Sequence, residues 1–198
     1  NLDFKAVALG ISTGGPKSIL EVLPKLPESL NAAIIVVQHM PPSFIKNFTR
    51  RIAQRTQMSC VESEAGMSLE PGKIYIASGG VHLKLHKKIT KEVVIRHTRS
   101  PEHLFMPSVD VMMESVCDVF KGDTIGVIMT GMGWDGAKGM EQIARTGGHT
   151  IAESEETSVV FGMPQEAIKR GAVKEVLPHR DIAEAIISAV NKSNPEGG

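Results

Sequence analysis

Cysteine is scarce in this sequence. Cys60 and Cys117 are the only two, too few for a disulfide framework and without metal-ligand spacing. Both thiols are expected to be reduced, and Cys117, inside an apolar helical pattern, to pack as a small hydrophobe. Long apolar runs are missing as well: the longest clean stretch, residues 32–37, falls far short of the ~20 residues that span a bilayer. No basic-then-apolar leader opens the chain, so the expectation is a cytoplasmic protein without membrane insertion. Neither charge is in excess. Lys plus Arg and Asp plus Glu number 22 each, so no overall field favours nucleic acid, and a charged partner must be met locally. Internal repeats and low-complexity segments are absent too.

What is present suits one domain. A chain of 198 residues, 41% of them hydrophobic, buries roughly 70% of its unfolded surface and needs no staples. Residues 5–10, 33–38 and 124–130 read as buried strands, with shorter strands at 149–152 and Glu175–Leu177, while residues 73–77 (KIYIA) open a different texture. Between them the spacing predicts helices over 15–23 (stopped by Pro24 and Pro27), 43–55 (capped by Ser43), Val109–Phe120 (capped by Ser108), Ala137–Arg145, 164–170 and 181–191. Segments 81–85 and 92–96 alternate apolar and polar residues, as in a hairpin with one wet face. Residues 194–198 read as a frayed tail. The pattern predicts an α/β fold, doubly wound, with a mostly parallel sheet, helices on both faces and an antiparallel hairpin. Sites in such sheets collect beyond the carboxyl ends of the strands, near a switch in strand order.

Three chemically apt residues follow three of these strands: Ser12, His39 and Asp135. Parallel strands would place all three on one edge of the sheet. A serine hydroxyl is a poor nucleophile until a neutral imidazole takes its proton and a buried carboxylate fixes the imidazole's tautomer. Gly10-Ile11-Ser12-Thr13-Gly14 also fits the G-x-S-x-G of a nucleophile elbow. A helix starting near Gly15 would aim N–H groups at charge developing beside Ser12. The chain order Ser, His, Asp is not that of the α/β-hydrolases, so the same chemistry is expected on a different fold.

Plainer readings stand beside this one. Alone, Ser12 caps a helix or lines a phosphate loop, His39 is a loop histidine pinned by Pro41 and Pro42, and Asp135 bonds its own turn. Gly131-Met132-Gly133-Trp134-Asp135-Gly136 is a formal G-x-G-x-x-G, with Glu153 following Gly131 by 22 positions, the outline of a dinucleotide site. Against it, Asp135 would repel a pyrophosphate and Trp134 would crowd the backbone approach, so the loop reads better as a carboxylate presenter. A non-catalytic module that binds a receptor or scaffold is the third class.

Taken together, GISTGGP at 10–16, QHMPP at 38–42, PSVDV at 107–111, IMTGMGWDGAKGM at 128–140 and VVFGMPQEAI at 159–168 resemble one family. It is that of the catalytic domain of the bacterial chemotaxis protein-glutamate methylesterases (CheB), and the matches span nearly the whole chain in order. The resemblance implies a cytoplasmic enzyme at chemoreceptor arrays that hydrolyses γ-glutamyl methyl esters on methyl-accepting chemotaxis receptors. Methanol is released, and receptor glutamines are deamidated by the same acyl-enzyme route. It makes Ser12 the nucleophile, His39 the general base and then acid, and Asp135 the partner of His39. Thr13 and Met132 would supply oxyanion-binding N–H groups. It also implies a catalytic domain over residues 1–193 and an N-terminal receiver domain, phosphorylated by the chemotaxis kinase, which this chain does not include.

Met106 stands where the family often carries arginine, and Trp134 where many members have a small polar residue. No cofactor is expected. The other histidines, His82, His86, His97, His103, His149 and His179, are expected in structural or solvated roles. None is expected to pair with a carboxylate at metal-ligand spacing, hence no metal. Lys46, Arg50, Arg51 and Arg55 form a basic helix face, either solvated or turned to acidic receptor helices.

Overall fold

Strands buried on both faces need apolar side chains at every position, and two segments supply them. KAVALGI forms β1 (Lys5–Ile11) and AAIIVVQ forms β2 (Ala32–Gln38). The computed structural model describes residues 2–193, so the expected frayed tail at 194–198 lies outside the described residues. After β1 come α1 (Gly15–Ser18), β2, α2 (Pro42–Ala53), β3 (Ser59–Glu62), β4 (Lys73–Ile76), β5 (His82–Lys87) and β6 (Val93–Thr98). The second half holds α3 (Val109–Phe120), β7 (Thr124–Ile128), α4 (Ala137–Arg145), β8 (His149–Glu153), α5 (Gly162–Lys169), β9 (Glu175–Leu177) and α6 (His179–Asn191).

Seven strands form one sheet in the order β3-β4-β2-β1-β7-β8-β9, every pair parallel. The two-residue period of β1 divides the core. Ala6 and Ala8 join the layer built with α3, α4, α5 and the β5–β6 hairpin, whereas Val7, Leu9 and Ile11 join that of α2 and α6. Helices therefore cover both faces, as the alternating pattern predicts. The hairpin forms a separate antiparallel sheet. It buries Leu83, Leu85, Val93 and Ile95 on one face; the other carries exposed His86 and Arg96 but also buried His82 and Val94, so the expected wet face is wet only in part. Among the described residues no helix is long and apolar enough to cross a membrane.

The departures are local. The helix expected over 15–23 is one α-turn, α1, followed by two 3-10 turns over Ile19–Glu21 and Leu23–Lys25. Pro24 cannot donate to the turn behind it, and 3-10 turns absorb the break. Ser43 is not a cap: α2 starts one residue earlier, with Pro42 at its first position and Pro41 at the N-cap. Ser108 does cap α3, accepting the Val111 N–H. The half-buried edge strand β3 was not expected.

Candidate active site

The parallel register aligns the residues that follow β1, β2 and β7. Ile11 pairs with Gln38 and Gly10 with Ile128, so Ser12 comes out beside His39 on one side and Thr130 on the other. The ladder continues past the strand ends: His39 N–H donates to Ile11 O at 3.0 Å, and Ser12 N–H to Thr130 O at 2.9 Å. β1 is where the chain turns to opposite halves of the sheet, the switch point at which a crevice opens. Ser12 is half-buried there. A Cβ on Gly131 would fall 2.8 Å from the Ser12 Cβ and 2.3 Å from Met163 Sδ. Glycine at 131 is therefore what leaves Ser12 its room.

Asp135 is fully buried, and its carboxylate is held from four directions. Oδ2 accepts His39 Nε2–H at 2.7 Å and Val109 N–H at 2.7 Å. Oδ1 accepts the Ser108 hydroxyl at 3.0 Å and Asp110 N–H at 2.9 Å. Two of these donors are free N–H groups at the amino end of α3, where helix geometry leaves them unpaired and the dipole favours an anion. Burial alone would push this carboxyl up; the hydrogen bonds from His39, Asp110 and Val109 outweigh it and hold it below the ordinary value. Asp135 is therefore ionised, an acceptor only, so the His39 hydrogen that faces it sits on Nε2. The other nitrogen, His39 Nδ1, is buried without a hydrogen-bond partner. The Ser12 hydroxyl does not reach it in the free protein, so the expected serine–histidine–aspartate relay is closed on its acid side and open at the serine.

Asp110 returns the gesture across the α3–α4 contact. Its Oδ1 accepts the N–H groups of Gly136 and Gly139, at 3.0 and 2.8 Å, which opens α4. Burial, followed by the nearby Asp135 charge, pushes Asp110 up to about 6, although the Gly139 and Gly136 N–H bonds pull the other way. This arrangement removes the dinucleotide reading. The N–H groups a pyrophosphate would need are occupied by Asp110, and Glu153 is buried, accepting Thr130 N–H and the Thr157 hydroxyl at 2.8 Å each.

Asp110→Asn keeps an oxygen for both glycine N–H groups but cannot ionise. A folded-state value near 6, against 3.8 ordinarily, means that the native protein loses stability as pH rises from about 4 through 6. The melting temperature of Asp110→Asn relative to the parent should thus climb between pH 4 and pH 7. A pH-independent difference would contradict this.

Several neighbours were not legible as site residues. Phe105 stacks on the His39 ring, centroids 4.1 Å apart and planes within 7°. His103, expected in a structural or solvated role, lies with Nε2 3.8 Å from Asp135 Oδ1, while its Nδ1 accepts Phe105 N–H. His82 is buried, Nδ1 accepting Ser108 N–H at 3.1 Å and Nε2–H donating to Pro101 O at 2.8 Å. Burial pushes His82 down, which suits a neutral strut under the 101–108 loop. His149 pairs with Glu175. His149 and His103 thus each approach a carboxylate that lies far away in sequence, which no ligand spacing along the chain marks. Atoms of His103, Asp110 and Asp135 lie within 4.8 Å of one another, yet both carboxylates already accept helix N–H groups, which an ion would have to displace.

The expected pull of the α1 amino end on Ser12 is also corrected. Gly15 N–H turns back to Ser12 O at 2.8 Å, and one helical turn carries little dipole. Thr13 and Met132 are exposed on the rim, and among the described residues neither N–H finds an acceptor. The two departures from the family pattern each line a pocket. Met106 lines a pocket of about 320 Å³ with His39, Met40, Leu104, Phe105 and Pro107. Trp134 lines another, of about 470 Å³, with Gly133, Gly162, Gln165, Glu166 and Arg170.

The fold and its occupied switch point define a class: doubly wound α/β domains that set a histidine–aspartate pair beside a serine at the carboxyl edge of the sheet. Within that class, the chain belongs to the CheB methylesterase family, whose family model matches residues 7–186. It is 55% identical over 188 residues to protein-glutamate methylesterase/protein-glutamine glutaminase 3 of Syntrophomonas wolfei, covering 95% of this chain and 53% of that protein. A Pyrococcus horikoshii protein-glutamate methylesterase/protein-glutamine glutaminase is 43% identical over 185 residues, 93% of this chain and 50% of its own length. The chain thus spans about half the length of the curated relatives it matches. The crystal structure of the Thermotoga maritima CheB methylesterase catalytic domain superposes with a TM-score of 0.92 at 40% identity, covering 94% of this chain and 99% of that one.

Proposed function

We propose that this chain, as a catalytic domain over residues 1–193, is a serine esterase that hydrolyses γ-glutamyl methyl esters on chemoreceptor helices and deamidates receptor glutamines. The observation that carries the reading is the setting of His39: Nε2 is bound at 2.7 Å to a buried, ionised Asp135, Nδ1 has no hydrogen-bond partner, and the His39 backbone continues the ladder beside Ser12. That is the setting a general base needs before it takes a hydroxyl proton.

Ser12 Oγ attacks the ester carbonyl as His39 Nδ1 accepts its proton. The resulting imidazolium is stabilised by Asp135. The oxyanion turns to the N–H groups of Thr13 and Met132, each such donor contributing ~10²–10³ in rate. Collapse expels methoxide, which leaves as methanol with the proton from His39. Water, deprotonated by His39, then frees the glutamate carboxylate and regenerates Ser12. An amide follows the same steps with ammonia as leaving group, in keeping with the double names of the relatives. Exposed Leu104, Met132 and Trp134 around the crevice suit a macromolecular substrate. Cytoplasmic placement at receptor arrays, and control by a phosphorylated receiver domain, belong to this same reading.

A fluorophosphonate tests it. Incubation should add one phosphonyl group, mapped by peptide mass to Ser12, and abolish methanol release from methylated receptor in proportion. Esterase activity that survives full exposure without a label on Ser12 would refute the reading. A melting temperature raised by a nicotinamide dinucleotide with no label would restore the cofactor alternative.

A further inference from the structure

Gln38 ends β2 and is 2% exposed, an environment that keeps an amide only when its polar atoms are used. Its Nε2 donates to two carbonyl oxygens, that of Ser12 at 2.9 Å and that of its own neighbour His39 at 3.0 Å. Two acceptors at one nitrogen fix which way the amide faces, because an oxygen there would be repelled by both. The other end is the opposite case. Gln38 Oε1 is buried with no hydrogen-bond partner, a loss of ~1–3 kcal/mol that an apolar residue at the end of a buried strand would avoid. The two donor bonds offset that loss, so what the amide adds is a tie between the Ser12 and His39 backbones.

From this we infer that Gln38 is a positioning residue, a clasp tying the backbone of the nucleophile to that of its base; the inference rests on the reading of Ser12 and His39 given above. It touches neither reacting side chain. It acts through the main chain, where the β1–β2 ladder has ended and only the His39 N–H to Ile11 O bond still joins the two segments. Because the Ser12 hydroxyl and His39 Nδ1 are not bonded in the free protein, the attack geometry must be closed by a small movement. A clasp on both backbones confines that movement.

Gly15 shows how closely the amide is fitted. Its φ lies outside the left-handed region, so its conformation is open to other residues. Yet a Cβ there would meet Gln38 Oε1 at 2.0 Å and Ile11 Cγ1 at 2.9 Å. The missing side chain at 15 answers chiefly to the amide at 38.

Gln38→Met keeps length and removes both donors and the orphan oxygen. It should lower kcat for methyl-ester hydrolysis about 10–100-fold, the range for a misplacement of roughly 1 Å. KM should stay within about twofold, and the melting temperature should change little, since relief of the orphan oxygen offsets the two lost donor bonds. Gly15→Ala should lower kcat similarly by pushing the amide away, and should cost little more when added to Gln38→Met, since a methionine end can move aside. A Gln38→Met enzyme with kcat within about threefold of the parent overturns the inference, as does a loss of melting temperature with kcat of the folded protein intact. Should Gln38→Met not fold, an unchanged kcat in Gly15→Ala overturns it instead. Ser12→Ala measured alongside separates the failures: activity there removes the nucleophile reading, whereas a dead Ser12→Ala with a fully active Gln38→Met removes only the clasp.

Discussion

Substituting Ser12 by alanine should lower methanol release from methylated receptor roughly 10⁶-fold and leave the fold in place. The alanine Cβ occupies the space already kept clear by Gly131. Every hydrogen bond recorded for Ser12 belongs to its main chain: N–H to Thr130 O, and O from Gly15 N–H and Gln38 Nε2. Removing Oγ therefore takes away one atom and no structural bond, and a fall in rate reports on chemistry alone. What survives should be the ~10³–10⁴ over water that oxyanion donors and binding supply without a nucleophile. His39→Ala should cost about as much, and the double variant scarcely more than either, because a relay lacking one member gains little from the other. Methanol release by Ser12→Ala within tenfold of the parent would end the serine mechanism.

The convergence of Ser12, His39 and Asp135 was legible because it depends on topology. Continuous apolar runs at 5–10, 33–38 and 124–130, alternating with helical segments, imply doubly covered parallel strands, and parallel strands deliver their following residues to one edge. The elements missed are those where periodicity is weak. Ser59–Glu62 is a half-buried edge strand with polar residues at both ends, so no alternation marks it. The 15–23 segment has helical spacing, but its prolines divide it into turns. Least legible was the wall of the site. His103 and Phe105 sit in a loop without any period, and their approach to Asp135 and His39 depends on where a 3.6-residue pattern some positions later docks its amino end. Asp110 read only as part of the helix over Val109–Phe120 and of the PSVDV match, without a role of its own. Its bonds to Gly136 and Gly139 exist because α3 and α4 lie side by side, each opened by a carboxylate from the other's start.

That exchange determines what Asp135→Asn should do. The amide is isosteric but has one acceptor where the carboxylate has two. With its oxygen toward His39 and Val109, the NH₂ faces the Asp110 N–H; turned over, it faces Val109 N–H and the protonated Nε2, and the imidazole must move its proton to Nδ1 to stay bonded. One orientation orphans a buried helix N–H, costing ~1–3 kcal/mol; the other also consumes the lone pair meant for Ser12. Neither supplies the negative charge that stabilises the imidazolium. Turnover should therefore fall about 10⁴-fold with KM little changed, since the missing interaction matters in the transition state rather than in binding. Stability should carry a pH signature as well. The Asp135 carboxyl is held below its ordinary value in the folded protein, so its contribution is complete above the unfolded value and is lost as pH falls through the folded one. The melting-temperature gap between parent and Asp135→Asn should be widest near neutrality and close in strong acid. A gap that persists unchanged into acid would mean that the carboxylate charge does not hold the two helix starts together. Turnover within tenfold of the parent would mean that it does not serve His39.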